Sequence, residues 1–144
     1  MKKNPFTGTW KLMACEFTGA DGHIDFPFGH DPLGTISYDA SGNMAVQIIR
    51  ADCPKFVSGD KYQGTPEEVR AAFEGSLAYF GRYEVDEAAG IVTHHVVGCN
   101  FPNWIGSAQT RTYMFSDRQL TLSTPPMPMG GAMAVGVLVW ERLA

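Results

Sequence analysis

Adjacent histidines at positions 94 and 95 are the residues of this 144-residue chain whose chemistry most needs a defined setting. They sit in a β-branched, apolar run from Ile91 to Cys99 that reads as a strand, and neighbours on a strand point to opposite faces. The pair therefore cannot chelate one metal together; one imidazole faces inward and the other outward. A four-residue hairpin through Glu87-Ala88-Ala89-Gly90 sets Val85 against Val92 and Tyr83 against His94, which favours His94 as the inward one. Tyr83 is then placed to hydrogen-bond the imidazole, and Arg111, on the next strand, to join them. Such a trio suits holding a carboxylate or polarising a carbonyl. In a catalytic version His94 is the acid/base near neutral pH, Arg111 stabilises a developing enolate, and Tyr83 orients one or the other. The same residues equally make a passive ligand contact or a structural hydrogen-bonded network.

Other chemistry finds little footing. His23 and His30 lie near Asp21, Asp25 and Asp31 in a loop without recognised ligand spacing, and read as solvated turn residues. No metal and no cofactor is expected. The sequence has no G-x-S-x-G, no phosphate-cradling glycine loop, and no Ser or Cys nucleophile with an evident base. The Lys and Arg count of 11 against 15 Asp and Glu gives a net charge of −4, with no basic cluster, so nucleic acid is not an expected partner. No apolar run approaches the ~20 residues of a membrane span. The N-terminus has basic residues but no apolar signal core, which points to the cytoplasm. Cys15, Cys53 and Cys99 are odd in number, lack C-x-x-C spacing and read as reduced thiols.

The elements that must position these groups are mostly strands. Runs at Thr9–Phe17, Gly34–Asp39, Asn43–Arg50, Ala78–Asp86, Ile91–Cys99, Ser107–Ser116, Gln119–Ser123 and about 133–142 alternate or are β-rich, and a short strand fits at 23–26. Ala40-Ser41-Gly42 suits a three-residue hairpin that pairs Tyr38 with Met44 and Ile36 with Val46. A two-residue Asp117-Arg118 turn pairs Phe115 with Leu120 and Tyr113 with Leu122. One helix, over about 66–76, has Thr65 as N-cap, Pro66 at the first helical position and Glu67 and Glu68 at its positive end. The expected fold is a single all-β domain over 1–144, an eight-stranded antiparallel up-and-down barrel with one α-helix between the third and fourth strands.

Loop lengths give the barrel two unlike ends. Every second connection is tight; those between are long and carry Phe26-Pro27-Phe28, the helix, Phe101-Pro102-Asn103-Trp104 and 125–131. Trp10 on the first strand and Arg142 on the last can stack guanidinium on indole where the barrel closes, which makes them structural and marks the sealed end. The long loops rim a mouth, and the Met/Pro segment 125–131 suits a mobile lid or a plain irregular connection. Alternation turns Trp10, Leu12, Ala14, Glu16, Arg50 and Trp140 inward together with Tyr38, Ile48, Tyr79, His94, Gln109, Arg111, Tyr113 and Leu122. Met13, Cys15, Val135, Val137 and Val139 then form an apolar outer stripe, fitting a homodimer face or burial under the helix.

Several of these stretches carry a family resemblance. Gly8-Thr9-Trp10, the Tyr79-Phe80-Gly81-x-Tyr83-x-Val85-Asp86 run, Val92-Thr93-His94-His95, Phe101-Pro102-Asn103-Trp104-x-Gly106, Gln109-x-Arg111 and Trp140-Glu141-Arg142 together resemble the lipocalin-like domain proteins, small microbial relatives of the lipocalins. The resemblance spans nearly the whole chain and implies a calycin-type barrel around a small, largely apolar molecule. The expected function is binding of such a molecule, with its polar head at Arg111 and His94; the alternative is a cofactor-free isomerase or cyclase acting on a carbonyl compound through His94, Arg111 and Tyr83. Expected ligand contacts are Tyr38, Ile48, Arg50, Tyr79, Gln109, Tyr113 and Leu122 inside, with Phe28, Trp104 and Met127 at the mouth.

Overall fold

The computed structural model describes residues 4–143; Lys2 and Lys3, part of the basic N-terminus, lie outside the described residues. In chain order the elements are β1 (Gly8–Gly19), β2 (Ile24–Asp25), β3 (Leu33–Tyr38), β4 (Asn43–Ile49), α1 (Pro66–Glu74), β5 (Ser76–Asp86), β6 (Ile91–Cys99), a 3-10 turn (Pro102–Trp104), β7 (Ala108–Ser116), β8 (Gln119–Ser123), β9 (Met127–Met129) and β10 (Ala132–Arg142). Eight strands form the barrel in the order β1-β3-β4-β5-β6-β7-β8-β10, and β1 pairs with β10 to close it. Closure pairs Trp10 with Arg142, whose guanidinium lies 4.2 Å from the indole.

Two short strands go beyond the expected eight: β2 pairs with β1, and β9 pairs with β10. The helix, expected between the third and fourth strands, follows β4 in chain order, because the two-residue β2 within the first long loop advances the count. Its N-terminus is a full capping box. Thr65 Oγ1 accepts from the Glu68 amide at 3.1 Å, and Glu68 Oε1 accepts from the Thr65 amide at 2.9 Å. No residue of α1 is fully buried, and it ends at Glu74, two residues short of expectation.

The turns hold as their chemistry demands. Tyr38 pairs with Met44, Val85 with Val92, Tyr83 with His94 and Tyr113 with Leu122. Asp117 adopts φ 54, the left-handed conformation a two-residue hairpin needs.

Two bulges break the alternation. One lies between Leu12 and Ala14 in β1. It turns Cys15 and Phe17 into the core, with 1% and 6% exposure, while Ala14 and Glu16, expected inside, leave it. Cys15 is thus no part of an outer stripe; Met13 and Val135 are exposed on that face. The second bulge lies after Phe80 and inserts Val97 between the partners of Phe80 and Gly81. A Cβ on Gly81 would stand 1.9 Å from the His95 carbonyl oxygen, so only glycine permits this approach.

The sealed end is aromatic. Phe6, fully buried, packs its ring 4.9 Å from both Tyr113 and Phe115 and 5.2 Å from Tyr38. Trp10 Nε1 donates to the Phe6 carbonyl, and Arg142 donates to the carbonyls of Thr7 and Pro5, so the strap before β1 is pinned across the floor. No helix among the described residues is long and apolar enough to cross a membrane.

Candidate functional site

Above this floor the barrel holds a cavity of about 210 Å³. Its wall is apolar: Ile36, Val46 and Ile48 from β3 and β4, Leu122 from β8, and Leu138 and Trp140 from β10. Around the mouth stand Phe28, Phe73 of α1, Phe101 and Trp104 of the 3-10 turn, and Met127 and Met129 of β9. The 125–131 segment is not an irregular connection: β9 hairpins onto β10, pairing Met127 with Ala134 and Met129 with Ala132, and both methionines line the site.

Of the residues expected to touch a ligand, Phe28, Ile48, Tyr79, His94, Trp104, Arg111, Leu122 and Met127 line this cavity. Five do not. Tyr83 and Tyr113 belong to the floor around Phe6, and Tyr83 donates to the Asp39 carbonyl at 2.7 Å rather than reaching His94. Tyr38 lies behind His94. Gln109 donates to Ser107 Oγ at 2.8 Å. Arg50 lies beyond the end of β4, bound to Asp52 at 2.8 and 3.0 Å and to the carbonyls of Phe26 and Pro27. The strand stops before the phase that would have turned it inward, and a carboxylate two residues on captures it.

Alternation missed Cys15, Phe17 and Phe73. The first two enter through the β1 bulge; Phe73 is as exposed as Val69, one turn earlier, and nothing in the helix pattern marks it as the one that edges the cavity. Thr124 also lines the cavity, its Oγ1 accepting from the Gly136 amide at 2.8 Å. His23 pairs with Asp25 in solvent, and His30 stacks on Phe26.

The polar centre is a layer of three rings. His94 is held at Nε2 by Tyr38 Oη at 2.7 Å and at Nδ1 by Tyr79 Oη at 2.8 Å. Burial first, then the charge of Arg111 and the neighbouring His95, lower its pKa to about 3. Burial also pushes the Tyr79 phenol up to about 12 and the Tyr38 phenol well above 10. All three rings are therefore neutral near pH 7, so His94 stands in the cavity wall uncharged.

A neutral imidazole donates at one nitrogen and accepts at the other. Tyr38 is enclosed, whereas Tyr79 lines the cavity, so the arrangement that strands no hydroxyl hydrogen in the core has Tyr38 donating to Nε2. Nδ1 then carries the imidazole proton and donates to Tyr79. The Tyr79 hydroxyl hydrogen is left to point away from His94, on a residue that lines the cavity.

Arg111 is the charged side chain in the lining. It is 6% exposed, donates to the Thr110 carbonyl at 2.8 Å, and lies 5.7 Å from the centre of the Trp104 ring. Among the described residues no carboxylate pairs with it. The Trp140 Nε1–H is likewise buried with no acceptor among the described residues. The Cys15 thiol, raised to about 12 by burial and then by Glu16, stays protonated and is no nucleophile. Arg111 is thus the one charged group among the residues that line the cavity.

Comparison with known proteins agrees with this geometry. The sequence profile of a family described as lipocalin-like domain matches residues 7–143. Over 107 residues, 69% of this chain and 96% of the relative, the sequence is 33% identical to a 4'-hydroxy-3'-methoxypropiophenone carrier protein of Aspergillus oryzae.

Proposed function

The chain belongs to the lipocalin-like domain family, and we propose that its barrel carries one small, largely apolar molecule with an oxygen-bearing polar end. The observation that carries this reading is Arg111, a buried cation without a carboxylate partner among the described residues, facing an otherwise apolar cavity. A buried unpaired charge costs several kcal/mol, and a ligand oxygen at that position offsets the cost.

Size narrows the ligand. An apolar cavity of ~150 Å³ admits benzene, so about 210 Å³ suits one substituted ring better than a long acyl chain. The ligand named for the relative, a ring with a short acyl group and two oxygen substituents, is of this size and polarity. We place its ring among Ile48, Leu122 and Trp140 and its oxygen toward Arg111. Binding is the function; no group in the wall is poised for proton transfer near neutral pH.

Trp104 and Trp140 line the cavity and report on it. Titration with 4'-hydroxy-3'-methoxypropiophenone is expected to quench tryptophan fluorescence saturably at one molecule per chain, and a sixteen-carbon fatty acid is not expected to compete. Saturable binding of the fatty acid, with none of the aryl ketone, would overturn the reading.

A further inference from the structure

We propose that the cavity takes a ring-borne hydroxyl ligand as its oxyanion, the bound oxygen serving as the counter-ion of Arg111. This rests on the carrier reading above and adds the ionisation state of the cargo. Three features of the wall favour it. The guanidinium is buried, its one hydrogen bond to protein goes to the Thr110 carbonyl, and no carboxylate pairs with it among the described residues. The Tyr79 O–H, turned away from His94 by the tautomer argument, is a donor as well, on a residue that lines the cavity. A neutral hydroxyl brings its own hydrogen into a site already supplied with donors, whereas an oxyanion accepts only.

The groups facing Arg111 leave no rival for this role. They are Cys15 of β1, Tyr79 of β5 and His94 of β6, with Tyr38 of β3 behind His94. The lining residues from β4, α1, the 3-10 turn, β8, β9 and β10 carry neither a charge nor an ionisable group. His94 stays neutral and cannot keep the released proton, so the balance is neutral ligand plus protein giving the bound anion and one proton to the buffer. An opposite charge within ~4–6 Å lowers the pKa of an acid by about 1–3 units. A phenol conjugated to a carbonyl starts below tyrosine, which brings this shift within reach of neutral pH.

The test uses the full chain with 4'-hydroxy-3'-methoxypropiophenone and its 4'-methyl ether, at a pH about one unit below the free phenol's pKa. Calorimetry in two buffers of different ionisation enthalpy counts protons released, and absorbance reads the red-shifted phenolate. Expected are release approaching one proton, a phenolate spectrum, and an affinity about tenfold or more above that of the ether. Arg111→Gln should abolish the release and the red shift and bring the affinity for the hydroxy compound down to that for the ether, and Arg111→Lys should keep part of the release. Binding of the hydroxy compound as the neutral phenol, without proton release, overturns the inference and leaves the carrier reading standing. So does release that persists undiminished in Arg111→Gln. Failure of both compounds to bind refutes the carrier reading and this inference with it.

Discussion

Acid should destabilise this protein through His94 in particular. In the unfolded chain a histidine takes up a proton below its ordinary value of 6.5; in the folded barrel His94 refuses one until about pH 3. Between those values the unfolded state binds more protons than the folded state, so stability is fully present above about pH 6.5 and is lost as pH falls. Each pH unit in that window is worth about 1.4 kcal/mol, so acidification to about pH 5 should remove about 2 kcal/mol through this one residue. That is a large part of the ~5–15 kcal/mol stability of an ordinary domain. Urea unfolding of the protein and of His94→Gln, each at about pH 7.5 and about pH 5, isolates the contribution, because carboxylates and the other histidines are common to both. The acid loss should be smaller in the variant by about 2 kcal/mol. Equal losses, or an imidazole resonance of folded His94 titrating near 6.5, would refute the reasoning and restore the residue as an acid/base candidate.

Two further outcomes separate the layers of the barrel. Tyr38→Phe removes the one partner of a buried imidazole nitrogen and should cost about 1–3 kcal/mol in urea unfolding while preserving the fold; a loss under about 0.5 kcal/mol would contradict the Tyr38–His94 hydrogen bond. Arg142→Ala deletes two carbonyl hydrogen bonds and the stack on Trp10, and should cost about 2–4 kcal/mol of stability with ligand affinity unchanged within about twofold. Calorimetric melting beside ligand titration checks this, and an affinity loss without a melting shift would move Arg142 from the floor into the site.

How much of this was legible depended on whether the information was local. Turn chemistry is local: Asp117, Gly42 and Gly90 fix three hairpins and hence the registers that face Tyr83 to His94 and Tyr113 to Leu122. Closure was legible because the Trp10 and Arg142 side chains are unusual enough to find each other from the chain's two ends. The β1 bulge was not. Met13, Ala14, Cys15 and Phe17 are all apolar, so a one-residue slip leaves the hydrophobic pattern readable in either phase. Depth was not legible either. Tyr83 opposes His94 in the ladder, yet the phenols that reach the imidazole are Tyr38 and Tyr79, from other rungs. Strands tilted around a barrel bring inward side chains together along diagonals, which period-two alternation does not encode.

That diagonal layer explains why one barrel can be both filled and hollow. Below it, Phe6 and its aromatic neighbours pack the floor ring against ring. Above it, the wall around Ile48, Leu122 and Trp140 is largely apolar and lacks the side-chain volume to fill itself. His94 sits at the boundary with both ring nitrogens hydrogen-bonded, to Tyr38 and to Tyr79, which holds its ring in place. Arg111 has no such closure. The asymmetry assigns the two polar features different duties: the three rings fix the shape of the cavity's base, and the guanidinium is the group whose satisfaction waits on what enters.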